Sequence, residues 1–111
     1  MSNNSRTNET KLIGQVDAAQ IDAWKKSYTQ GIYGVEVDGH IGYFKEPTRK
    51  EMNCAMSKAS AEAALDMYEE LAEITFIGGS EAVLKNDAMF YGLVQQIKVK
   101  MDGKKAKLVN L

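Results

Sequence analysis

The chain has 111 residues, 44% of them hydrophobic and 26% charged, and a formal net charge of −1, which suits one domain with a modest core and gives no electrostatic case for nucleic-acid binding, since that draws on clustered positive charge. The single cysteine, Cys54, excludes an internal disulfide and fits a reducing compartment. No run of about 18 apolar residues is present to span a membrane and no apolar N-terminal stretch marks a secretion signal, so a cytoplasmic chain without membrane contact is expected.

Residues 1–11 are rich in Ser, Asn and Thr and lack periodicity, the composition of a disordered tail. Residues 12–103 are expected to form a single α+β domain, and residues 104–111 a C-terminal tail. Leu12 to Val16 is a short apolar stretch suited to a docking strand. Asp17 fits an N-cap with Gln20 at the capping-box position, which predicts a helix from Ala18 to about Tyr28. Ile21, Trp24 and Tyr28 lie on one side of it, and Gly31 is its stop signal.

Ile32 to Phe44 reads as a β-hairpin around Asp38-Gly39. Two registers compete. A two-residue turn pairs Val37 with His40 and Val35 with Gly42. A type I turn with Gly39 in a bulge pairs Val35 with Ile41 and Tyr33 with Tyr43. The second is preferred, because it gathers four large apolar residues on one face and sets His40 beside Glu36 on the other.

Pro47, the only proline, ends strand pairing because it has no N–H to donate. Thr48 with Glu51 forms a capping box for a helix from Arg49 to about Lys58, with Met52, Ala55, Met56 and Ala59 as its apolar stripe. Ser60 is a second N-cap candidate, for a helix from Ala61 to about Thr75. Ala64, Leu65, Tyr68, Leu71, Ala72 and Thr75 form its stripe, opposite an acidic face. Phe76-Ile77-Gly78-Gly79 reads as a helix stop. Ser80 to Asn86 is a connection with room for one helical turn at Glu81 to Leu84. Asp87 is expected to cap a last helix from Ala88 to about Met101, buried along Phe90, Leu93, Val94, Ile97 and Met101. Gly92 either weakens that helix or permits a close crossing. Lys104 to Leu111 is basic and then apolar, a pattern open to strand, helix, or a tail that orders on a partner. The expected fold is therefore an N-terminal helix, a β-hairpin, and a three-helix bundle packed on the hairpin.

The chemistry-bearing residues form no catalytic or metal constellation in sequence. His40 has only Glu36 as a candidate partner, too few groups for a base or a metal ligand set. Cys54 sits in a helix without a CxxC partner or a nearby histidine. Asp66, Glu69, Glu70 and Glu73 read as a solvated helix face or a surface for a basic partner. Gly78-Gly79-Ser80 lacks the spacing of a phosphate loop and follows a helix, where such loops follow a strand. Asn8-Glu9-Thr10 matches a glycosylation acceptor in form alone. Met52, Met56, Met67, Met89 and Met101 read as core filling, or in part as an adaptable binding surface. No catalytic, cofactor or metal residue is assigned, no cofactor is expected, and partner-binding residues are unassigned.

Tyr43-Phe44-Lys45-Glu46-Pro47-Thr48-Arg49-Lys50 joins a strand through a Lys-Glu-Pro turn to a Thr-Arg-Lys helix start. A helix with Ala55-Met56-Ser57-Lys58 follows, then a longer one ending in Phe76-Ile77-Gly78-Gly79, and then a closing helix. Over roughly residues 33–101 this order resembles small proteins of tailed bacteriophages, many of them tail assembly chaperones. The resemblance implies a non-enzymatic assembly factor in the host cytoplasm. Its implied partner is the tape-measure protein or tail-tube subunits, with homo-oligomerisation left open. The alternatives are a small structural virion component of tail or capsid, or a small regulatory protein-binding module.

Overall fold

Asp38 and Gly39 both take positive φ, 51° and 81°, the backbone of a two-residue type I′ turn, whose twist matches that of paired strands. This fixes the hairpin of β1 (Ile32–Val37) and β2 (His40–Lys45) in the register Val37 to His40, Val35 to Gly42 and Tyr33 to Phe44. The preferred bulged register is thus corrected. It assumed one buried sheet face, whereas both faces are covered. His40 does not join Glu36 either, because Glu36 lies opposite Ile41 and adjacent positions alternate between faces.

The computed structural model describes residues 11–60 and 63–111; the expected N-terminal tail lies almost wholly outside them. Among the described residues the order is α1 (Ala18–Ser27), β1, β2, α2 (Arg49–Met56), α3 (Leu65–Thr75), β3 (Phe76–Gly79), α4 (Ala82–Lys85) and α5 (Asp87–Met101). The chain is α+β, with an antiparallel three-stranded sheet in the order β1-β2-β3. The hairpin plus three-helix bundle is corrected in one respect. Phe76 to Gly79 is a strand on the free edge of β2, not a plain helix stop. Phe76 takes φ −67° and ψ 125°, so the chain leaves α3 directly into extended backbone. There it supplies partners to β2 groups that would otherwise be unpaired.

Helix ends follow side-chain chemistry. Asp17 accepts from the Gln20 N–H at 2.9 Å. Thr48 and Glu51 form the reciprocal capping box. Ser60 Oγ accepts from the Ala63 N–H at 3.0 Å, although α3 starts at Leu65; the expected first residues, 61–62, lie outside the described set. Asn86, not Asp87, caps α5, its Oδ1 accepting from the Met89 N–H at 3.0 Å. α2 stops at Met56, two residues short of the expected end, as the Ser57 hydroxyl donates to the Cys54 carbonyl.

One sheet face carries Tyr33, Val35 and Phe44, with Phe76 beside them. Phe44 is fully buried, stacked on Tyr33 and edge-on to Phe76, each with ring centroids 5.6 Å away. Val83, Phe90, Leu93, Val94 and Ile97 from α4 and α5, Leu71 and Ala72 from α3, and Ala55 from α2 complete this core. All five residues of the expected α5 stripe are at least half-buried. Gly92 serves the close crossing: a Cβ there would stand 3.3 Å from Val37 Cγ1. The α2 stripe is half right. Ala55 is buried and Met52 packs on the core, while Met56 and Ala59 face solvent because α2 ends there. Leu65 of the α3 stripe is likewise exposed, at the helix start. Thr75 is buried with its hydroxyl donating to the Leu71 carbonyl at 2.8 Å.

The other sheet face carries Tyr43 under α1. The Trp24 and Tyr43 ring centroids are 5.3 Å apart. The preceding segment pairs as anticipated for a docking strand, but through a single bridge. Ile13 donates to the Gly39 carbonyl and accepts from the Ile41 N–H, both at 2.9 Å.

Replacing Phe44 by Ala opens a cavity between all the packed elements of the inner face. The expected loss is about 3–5 kcal/mol of unfolding free energy, read as a lower urea midpoint at unchanged slope.

Candidate functional site

The strand end at Lys45 and Glu46 is where charged side chains from three elements converge. Lys45 Nζ donates to Glu51 Oε2 of α2 at 2.6 Å, and Lys100 of α5 pairs with Glu46. Lys100 Nζ also stands 4.6 Å from the centre of the Tyr33 ring. Burial, aided by the Glu46 charge, pushes the Tyr33 phenol up to about 12. At Glu51, burial pulls the carboxyl upward, but hydrogen bonds from Lys45 and from the Thr48 backbone outweigh it and hold it below the usual carboxylate range.

Two open depressions meet at Gln30 and Glu46. One, of about 550 Å³, is walled by Pro47, Val99, Lys100, Gly103 and Lys104; the other, of about 300 Å³, by Ser27, Tyr28, Thr29, Lys45 and Thr48. Lys45, Glu46 and Lys100 on these walls are already matched to opposite charges. The proline joint is therefore a structural clamp at the root of the C-terminal segment.

The other chemistry-bearing residues are scattered. His40 Nδ1 lies 2.8 Å from Ser80 Oγ, a contact between residues forty apart in sequence that reading the chain did not anticipate. Ser80 Oγ also accepts from the Ala82 N–H at 3.3 Å, so the pair ties the start of β2 to the start of α4. Cys54 is exposed, its Sγ 4.0 Å from Glu70 Oε2. Among the described residues, no group of three or more His, Cys, Asp or Glu side chains could hold a metal ion. No described helix is long and apolar enough to cross a membrane.

Exposed apolar side chains are concentrated toward the end of the chain. Tyr91 and Val99 on α5 are more than half exposed. Beyond Gly103 the chain has neither helix nor strand, and Leu108, Val109 and Leu111 are 90%, 65% and 118% exposed. Lys104, Lys105 and Lys107 precede them. This segment is basic and then apolar, and it lacks helix or strand of its own. No family model, curated protein or solved structure matches this chain.

The Glu51 pairing predicts a pH dependence. A carboxyl held below its ordinary value of 4.5 contributes stability that is fully present above that value and is lost as pH falls through the lowered folded value. Glu51→Gln is expected to melt below the wild type near pH 7. The gap should narrow and close as pH falls below 4.5 and on through the lowered folded value, as followed by circular-dichroism melts in a buffer series.

Proposed function

We propose that this chain is a non-enzymatic, protein-binding assembly factor of the tail-assembly-chaperone kind. It acts in the host cytoplasm on the tape-measure protein or tail-tube subunits of a tailed bacteriophage. The observation that carries the protein-binding reading is the C-terminal segment, with three aliphatic side chains left in water beside three lysines. Burying one such side chain contributes about 1.5–3 kcal/mol. A partner groove that takes Leu108 and Leu111 therefore gains useful affinity without catalysis. The lysines favour a partner with acidic surface around that groove. An assembly chaperone needs such adaptable, weak and repeated contacts. The phage assignment itself is supported by the resemblance of the strand–proline–helix order over residues 33–101.

The test is co-expression with the tape-measure protein of the same genome and affinity capture. The full chain is expected to retain it. Leu108→Ser with Leu111→Ser should lower capture at least about tenfold while leaving the melting temperature unchanged, since neither side chain packs on the body. Retention of the chain in purified particles would instead favour the structural virion component.

A further inference from the structure

The sheet face opposite the core is shaped more deeply than the helix that covers it. Tyr43 is only 6% exposed, yet α1 contributes no fully buried residue of its own. The indole of Trp24 lies so close over Gly78 that a Cβ there would stand 2.8 Å from both Cη2 and Cζ2. Any side chain at position 78 would push the indole away. The Tyr43 hydroxyl is held by the Val16 N–H at 3.3 Å, from the segment that leads into α1. The contact is thus a notch with one aromatic plug, carried on a short helix whose other residues are exposed or half-buried.

We infer that the outer sheet face over Tyr43 and Gly78 is a helix-docking site, occupied in cis by α1, that accepts a partner's amphipathic helix bearing an indole anchor when α1 lifts away. The occupant's chemistry is read from the plug already present. Ile21 and Trp24 are the half-buried residues of α1 and the half-buried Tyr28 is its C-cap; their spacing of i, i+3 and i+7 is that with which an amphipathic helix enters an apolar groove. A ten-residue helix is marginal alone, so α1 holds its place through a few contacts: the Trp24 indole, the Val16 bond that leads into it, and the Lys45 ammonium 5.9 Å from the centre of the Tyr28 ring. The chain enters it from the Ile13 bridge and leaves it through the Gly31 turn, where φ is +112°. The helix can swing outward between these two fixed points. A partner helix with the same anchor and longer flanks would replace α1, so that α1 sets the threshold for binding. This inference rests on the protein-binding reading and names a surface for it.

Trp24 is the only tryptophan, so the full chain carrying Trp24→Ala is free of tryptophan emission. The probe is a synthetic peptide of residues 12–30, which contains the indole. Its emission is expected to shift to the blue, saturably, on titration with Trp24→Ala. By anisotropy of a labelled copy, it should bind that variant at least about tenfold more tightly than the wild type, whose own α1 competes. Adding Gly78→Ala to Trp24→Ala should abolish the shift. Gly78→Ala alone should move the intrinsic emission of the chain to the red as Trp24 is dislodged. The inference is overturned if the peptide shows no saturable binding, binds both chains equally, or ignores the glycine substitution. Loss of the folded far-ultraviolet signal in Trp24→Ala would also overturn it, because α1 would then be an integral part of the core. No phage protein enters this experiment, so its failure is separable from a failure to capture the tape-measure protein.

Discussion

The structure depends on the burial of β2 on both faces and along both edges. Gly42, Tyr43 and Phe44 are consecutive and all buried. In a strand, neighbours point to opposite sides, so three buried residues in a row require cover above and below. Phe44 takes the core formed by α2, α3, α4 and α5, and Tyr43 takes the indole of α1. β1 and β3 satisfy its backbone on either edge. Remove any of these neighbours and β2 exposes either aromatic surface or unpaired backbone, each costly in water or in a dry interior. The placement of every other element follows from supplying that cover.

The proline joint performs a second task set by the same strand. β2 must end at Lys45, and the chain must turn away to start α2. Pro47 withholds the N–H that would extend pairing, and the Thr48–Glu51 box supplies acceptors for the first amides of the helix. Lys45 and Glu46 then tie the joint to α2 and α5 through charges of opposite sign. These contacts match the charges of Lys45, Glu46, Glu51 and Lys100 and tie the joint to the helix that leads into the C-terminal segment. The surfaces proposed for other molecules are the exposed tail and the sheet face under α1.

Much of the local structure was legible in the chain because it is written in short-range chemistry. Asp17 and Thr48 bond to amides three residues on, so their capping could be read from spacing, whereas Ser60 makes the same bond without capping α3, which starts at Leu65. The α5 stripe repeats with the helical period and is buried as read. The hairpin register was misread because the choice turned on which faces would be covered, a fact contributed by Trp24 and Val83 from distant segments. Phe76 to Gly79 carries no strand pattern, and it pairs because β2 offers an open edge. The His40–Ser80 contact joins positions forty apart, and no local signal announces it. The apolar tail was visible as a pattern, but only the fold shows that Leu108, Val109 and Leu111 are left largely exposed.

By itself, then, the sequence determined where the first two helices begin, where the strand must stop and where the chain reverses. Each of those outcomes is decided by hydrogen bonds or backbone sterics within a few residues. The hairpin register was open between two readings until the folded turn was seen, and tertiary structure alone decided the third strand and the placing of a helix on the outer sheet face. Those depend on which apolar surfaces meet, and burial is a property of the assembled chain that no single stretch contains.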